Sequence, residues 1–414
     1  MPKRCAATAF NARGKAAKRR LEPILRFSVI FGFASTMSSD MQSTSKNIND
    51  QLVTIGSACE LGVSNQDIAA FYAVQWARPI ALGRTDYLQW QFNDAPTSEA
   101  GNHSVVALDG TEIIAVMGAT PRDFCVGETC KKGAELTTWI VSPKAQGRGV
   151  GGKMLRYFQS RYEVLSGAGI TNQALPLYLK AEFTFLAHIP RFFYVSDFER
   201  IARFTDPHSA ALSIVQRRQQ MGAALTQQGQ ACAAFDLPGR VGQPTPDAIQ
   251  WNRDAAYMQW RYDEHPVFTY EAFAIDANAS NACGVVMRQD EVDGIPFLHV
   301  VDFSGPPSGY AAAGAFLEAE ATRRGCAFVD ISATHHSLIA NLRARGWNSA
   351  VDDPLIELPS LFYPVELRRP PTTSLVFWAR DDRSSLYDFG QQFYSKGDLD
   401  LDRPTLAFYE KHGL

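Results

Sequence analysis

The chain has 414 residues, 46% of them apolar and 20% charged, with a formal net charge of −3. That length exceeds a single typical core and points to two domains, while the near-neutral balance gives no general case for nucleic acid or an acidic polymer as partner. No apolar run reaches the ~18 residues of a membrane span, so no stable membrane insertion is expected. The seven cysteines are irregularly spaced. Cys125 and Cys130 read as small buried hydrophobes rather than part of a disulfide or zinc framework, and a reducing cytoplasm fits.

Residues 1–46 stand apart. Up to Arg26 they carry eight basic residues and one acid, Glu22, followed by an apolar run from Ile30 to Ala34 and a Ser/Thr/Asn stretch. Basic, acid-poor starts suit transit and signal peptides. Met37 and Met41, just ahead of the polar stretch, also suit a disordered basic extension or an upstream-extended start, and this second reading is preferred.

From residue 47 the pattern is that of a folded domain, with a strand near Leu52–Ile55, a helix near Asp67–Trp76 and a short helix around Tyr87–Phe92. Strands at His103–Leu108 and Glu112–Met117 are joined by Asp109-Gly110, a hairpin signal. Leu136–Val141 is apolar and β-prone, and from Val150 the spacing becomes helical, with Val150, Met154, Leu155 and Phe158 on one stripe. Between them lie Gln146, Gly147, Arg148, Gly149, Val150, Gly151 and Gly152. Such a loop puts unhindered backbone N–H groups at a helix N-terminus, where the dipole favours an anion, and it reads as a phosphate cradle.

Two common nucleotide loops fit poorly. A Walker loop needs Ser or Thr after Gly-Lys to ligate magnesium, and Gly152-Lys153 is followed by Met154. Gly147, Gly149 and Gly152 satisfy GxGxxG, but the loop lies about mid-domain, and Gly169, Ile170 and Thr171 stand where a dinucleotide site would place an acid.

The QxxGxG at Gln146–Gly151, after a strand ending in Ser142-Pro143, instead resembles the pyrophosphate loop of the GNAT superfamily of acyl-CoA N-acyltransferases. Glu135 stands eleven residues before Gln146, where that family often carries a carboxylate. Ala174, Tyr178 and Phe183 keep the family's downstream intervals, whereas Asn172 is one residue nearer the Ala than usual and Glu182 replaces a Gly. The resemblance implies an α/β fold with a mixed sheet and acetyl-CoA as acyl donor, with no metal. It further implies a donor site from Trp139, Ile140, Val141, the loop residues 146–152 and Asn172, with Glu135 as base toward the amine and Tyr178 as acid toward the departing thiolate.

This first domain extends to about Thr205, and residues 206–246, rich in Gln, Ala, Gly and Pro, read as a partly helical connector. Then a pattern returns. Tyr87-Leu88-Gln89-Trp90-Gln91-Phe92, closed by Pro96, is matched at the same spacing by Tyr257-Met258-Gln259-Trp260-Arg261-Tyr262 and Pro266. Phe297–Phe303 reads as the counterpart of the central strand, followed by a helix over Ala311–Arg323, a strand over Ala327–Ile331, and Leu342–Trp347 echoing Tyr178–Phe183. The two halves read as a tandem duplication. In the second, residues 247–380, the loop Ser304-Gly305-Pro306-Pro307-Ser308-Gly309 has two prolines without N–H groups and no basic residue, so it reads as a degenerate copy.

The tail, residues 381–414, contains Asp398-Leu399-Asp400-Leu401-Asp402-Arg403-Pro404, read as a solvated, dipole-capping turn. This string, with Trp260–Pro266, is similar to acetyltransferases of bacterial surface-glycan clusters. The resemblance implies a cytoplasmic N-acetyltransferase acting on a primary amine of a small molecule, an amino sugar or nucleotide-linked amino sugar, with a homo-oligomer left open. A peptidoglycan-bridge-type aminoacyl transferase and a non-catalytic acyl-CoA-binding module are the alternatives. His335-His336 reads as a surface or capping pair, and His265 as structural.

Overall fold

In the computed structural model the described residues are 53–413, apart from 77–79, 99–100, 207, 226–248, 276–281, 353–354, 361–365, 368–370, 381–385 and 400–401. The basic segment 1–46 and most of the expected connector lie outside them. No helix among the described residues is long and apolar enough to cross a membrane.

The chain opens with β1 (Thr54–Ser57), α1 (Ala58–Leu61) and α2 (Asn65–Gln75). Ser57 and Ser64 each close a capping box, which is why these helices start where they do. α3 (Thr85–Leu88) runs directly into a π-helical turn over Gln89–Asn93, closed by the Asp94 amide donating to the Gln89 carbonyl. β2 (Val105–Asp109), β3 (Glu112–Val126) and β4 (Thr129–Val141) form a meander, and the β3–β4 hairpin is far longer than the sequence suggests. α4 (Val150–Arg161) buries Val150, Met154, Leu155 and Phe158 against this sheet, each worth roughly 1.5–3 kcal/mol of apolar burial. β5 (Val164–Ala168), α5 (Leu175–Lys180), β6 (Thr184–Leu186), β7 (Arg191–Val195), α6 (Phe198–Ile201) and α7 (Ala211–Leu225) follow.

The later part contains β8 (Ile249–Trp251), α8 (Ala255–Met258), a second π turn over Gln259–Asp263, and β9 (Glu271–Ile275). It continues through β10 (Cys283–Val292), β11 (Ile295–Ser304), α9 (Tyr310–Arg323), β12 (Phe328–Ser332), α10 (His336–Ala344) and β13 (Asn348–Ser349). A small pair, β14 (Pro359–Ser360) and β15 (Glu366–Leu367), precedes β16 (Leu375–Ala379), β17 (Gln392–Phe393) and α11 (Leu406–His412).

Two mixed sheets result, with matching strand directions. The first has the order β1-β2-β3-β4-β5-β16-β6 and the second β13-β7-β12-β11-β10-β9. In each, two antiparallel pairs lead to one parallel pair, β4·β5 or β11·β12, and two further antiparallel pairs, and the first sheet adds the antiparallel pair β1·β2 at its edge. The sheets exchange strands: β16 from late in the chain fills the place in the first sheet that β7 fills in the second.

The repeated Tyr-x-Gln-Trp segments pack against each other. Trp90 and Trp260 stack with ring centroids 5.1 Å apart, and each indole N–H donates to the other's carbonyl, at 3.2 and 2.8 Å. Tyr87, Phe92, Tyr257 and Tyr262 fill the same core. Gln89 bonds Asp94 at 2.7 Å and Gln259 bonds Glu264 at 2.8 Å, so both π turns are held by the same side-chain clamp.

One reading needs correction. Cys125 and Cys130 form a disulfide, because the β3–β4 register sets them directly opposite each other. Sequence spacing hid this: the two lie five apart, and only the long hairpin turns that separation into a cross-strand pair.

Candidate functional site

The site is organised by a defect in β4. The β3–β4 ladder shifts between Met117 and Gly118, which leaves Thr138 as an extra residue with φ +38. A β-branched residue at positive φ is strained, and such strain persists only where surroundings impose it. Two contacts hold the bulge: Tyr72 of α2 donates to the Thr138 carbonyl at 2.9 Å, and Arg403 donates to the Thr138 hydroxyl at 2.6 Å. β4 and β5 pair only over Gly133–Leu136 and Val164–Gly167, so beyond Leu136 the strand has no ladder partner on its β5 side. Trp139, Ile140 and Val141 lie on this open edge.

The Gly-rich loop follows. Gly147 and Gly149 have φ of +78 and +73, and Gly149 is the N-cap of α4. A Cβ at either would meet nothing within 4 Å, so the cradle faces open space. The helical ladder begins with the Lys153 amide on the Gly149 carbonyl at 3.2 Å, which leaves the amides of Val150, Gly151 and Gly152 ahead of it. These residues fit an anionic, phosphate-bearing donor. The Arg148 side chain is turned away to Asp109 at 2.8 Å, and Gln146 reaches the Val141 carbonyl at 3.4 Å. Asn172 is exposed in the turn before α5.

Trp139 connects loop and helix. Its ring lies over Gly151, 2.6 Å from where a Cβ would stand, and meets Tyr178 edge-on at 5.5 Å. Tyr178 is buried, and its hydroxyl bonds no described residue. Burial pushes that hydroxyl's pKa up, so it stays protonated at neutral pH and remains a proton donor.

Glu135, buried on β4, opens on a cleft of about 400 Å³, partly continuous with solvent. α3 and α8 with the π turns that follow them line it, through Tyr87, Trp90 and Gln91 and through Tyr257, Trp260 and Arg261. Its remaining wall includes Gly397, Leu399 and Asp402 of the tail. The structure therefore brings Glu135 to one cleft, and Trp139, Gly151 and Tyr178 together at the loop.

The tail is not the solvated turn expected from its charges. Asp398 is fully buried between Arg253 and Arg122, and Arg253 also binds Asp302 at 3.0 Å. Asp402 is buried among Arg288, Lys396 and the Tyr270 hydroxyl. Arg403 reaches Thr137 at 3.0 Å and Gln91 at 3.3 Å. Apart from Lys396, none of these partners is near the tail in sequence, so alternating charge looked like a surface pattern. Of the histidines, His335 is buried at the N-cap of α10 and His265 accepts from the Val267 and Phe268 amides. Among the described residues no group of His, Cys, Asp or Glu is arranged to hold a metal.

Burial pushes the Lys396 ammonium down to about 8 from its ordinary value near 10.5, although Asp402 pulls the other way. The unfolded chain then binds more protons between those two values, so stability rises with pH across that window and is lost as pH falls toward 8. Urea midpoints are expected to be higher at pH 9.5 than at pH 8. Lys396→Met should flatten the difference, and an unchanged slope would remove Lys396 as its source.

Residues 68–180 match the model of the acetyltransferase (GNAT) family. Among solved structures, the GCN5-related N-acetyltransferase from Kribbella flavida is similar at 14% identity over 79% of this chain and 71% of that one, with a TM-score of 0.42. The GCN5-related N-acetyltransferase from Anabaena variabilis is similar at 11% identity over 80% and 73%, with a TM-score of 0.44. No curated protein matches the sequence significantly. The span that matches the GNAT family model contains β4, the glycine loop, α4 and α5.

Proposed function

We propose that this protein is an acyl-CoA-dependent N-acyltransferase, with acetyl-CoA as donor and a primary amine of a small molecule as acceptor. The observation that carries this reading is the bulged strand β4. It presents Glu135 to a cleft on the parallel-paired stretch and, four residues further on at Trp139, an open backbone edge leading into the glycine loop. When bound, the donor supplies a thioester carbonyl for the amine to attack. The amides at the start of α4 hold its phosphates, and residues 139–141 offer backbone groups along its arm. Glu135 accepts the amine's proton and Tyr178 gives a proton to the departing sulfur. An amino sugar or nucleotide-linked amino sugar is the acceptor class suggested by the resemblance at Trp260–Pro266 and Asp398–Pro404.

We read the second sheet as a degenerate copy that completes the cleft, with residues 47–205 and 247–380 as tandem domains. β11 carries a register shift like that of β4, but at matching positions Leu298 replaces Glu135 and Asp302 replaces Trp139. The gap beside it holds the chain itself: Tyr394 and Ser395 bond Thr334 and Ala333 on one side, and Ser395 bonds Asp302 on the other.

The test is release of CoA from acetyl-CoA over a panel of amines. Glu135→Gln and Tyr178→Phe are each expected to lower kcat by about 10²–10⁴-fold, while acetyl-CoA still raises the unfolding temperature. If wild type and variants bind acetyl-CoA alike and none turns over any amine, the protein is a binding module instead.

A further inference from the structure

Arg261 puts a cation in its π turn where the first repeat has the neutral Gln91. Its side chain is 5% exposed, yet it lines the same cleft as Glu135. A guanidinium offers five N–H donors, and a buried cation ordinarily keeps close, charge-assisted partners. Arg261 has a single hydrogen bond, to the Tyr270 hydroxyl at 3.4 Å, and its nearest carboxylate, Asp402, is 4.0 Å away. Asp402 is itself engaged by Arg288 and Lys396. By contrast, Arg253, buried as deeply, holds Asp302 at 3.0 Å and is also paired with Asp398. The difference between these two arginines is the cleft, which only Arg261 lines.

We infer that Arg261 is an anion-binding residue of the acceptor site, and that the acceptor is an amine carrying a carboxylate or phosphate. The word acceptor rests on the acyl-transfer reading above. The anion completes the hydrogen bonds that the guanidinium lacks, and it orients the amine toward Glu135 in the same cleft. Neutral amines of similar size lose that anchor.

Turnover with acetyl-CoA is measured on matched pairs, glucosamine against glucosamine 6-phosphate and alaninamide against alanine, for wild type, Arg261→Gln and Arg261→Lys. In parallel, inorganic phosphate is titrated during thermal unfolding. Glutamine is the first repeat's own residue at this place, so the fold has a precedent for it, and Arg261→Lys keeps the charge. Wild type is expected to prefer one anionic member by on the order of 10- to 100-fold in kcat/KM, and which pair responds separates phosphate from carboxylate. Arg261→Gln closes that ratio, mainly through KM, and Arg261→Lys keeps part of it. Phosphate raises the wild-type unfolding temperature but not that of Arg261→Gln. Equal ratios in wild type and Arg261→Gln, or a preference for the neutral members, would overturn the inference and leave acyl transfer standing. If no amine is turned over but phosphate still stabilises wild type and not Arg261→Gln, the anion site stands and the transferase reading falls. Absence of both effects overturns both.

Discussion

Gly149→Glu is expected to abolish stabilisation by acetyl-CoA while leaving the protein folded. Wild type at about 100 times the dissociation constant should gain about 2.7 kcal/mol, a shift of a few degrees in unfolding temperature. The substitution adds a side chain at φ +73, which costs roughly 1–2 kcal/mol, but its Cβ meets nothing within 4 Å. A carboxylate at a helix N-terminus returns a few tenths of a kcal/mol through the dipole. The net effect on folding is therefore modest. Its effect on the donor is not, because the carboxylate occupies the space into which the amides of 150–152 point and repels the phosphates they are proposed to hold. An acetyl-CoA shift retained by this variant would take the loop out of its proposed role.

Asp398→Ala is expected to cost about 3–5 kcal/mol, because it leaves buried cations uncompensated. Arg253 keeps Asp302, but Arg122 loses the carboxylate facing it at 3.0 Å and retains the Asn252 carbonyl and the Tyr257 ring. Arg122, Tyr257 and the neighbouring Gly397 all line the cleft, so activity should fall with stability. Asp86→Ala removes an exposed ion pair with Arg84 and serves as the control, with an expected cost of ~0–1 kcal/mol. Urea unfolding measures both. Equal costs for the two would mean that the tail does not hold the two sheets together.

Local chemistry wrote much of the proposed donor side into the sequence. Strand β4, the glycine loop and α4 are contiguous, and their periods, the absence of Cβ atoms and the helix start are properties of neighbouring residues. The repeat at Tyr87 and Tyr257 was legible for a related reason: the same short string forms the same α-to-π turn twice, with the same Gln clamp. Even the loss of a cradle after β11 follows from two prolines and a missing cation.

The cleft was not legible, because most of its parts are far apart in the chain. Thr138 becomes a bulge only where Tyr72 and Arg403, 66 and 265 residues away, grip it from two directions. Cys125 and Cys130 pair only once β3 and β4 run to their full length. Asp398 and Asp402 read as surface charges until Arg253, Arg122 and Arg288 surround them, since burial of a charge depends on partners that no local spacing announces. β7 and β16 cross between sheets by long-range pairing that strand propensity cannot assign. The sequence by itself determined that one half carries a glycine-rich loop at a helix start and the other a proline-containing one. Only the tertiary structure decided what faces Glu135, because a cleft is made by whichever distant side chains the packing of two sheets brings to its walls.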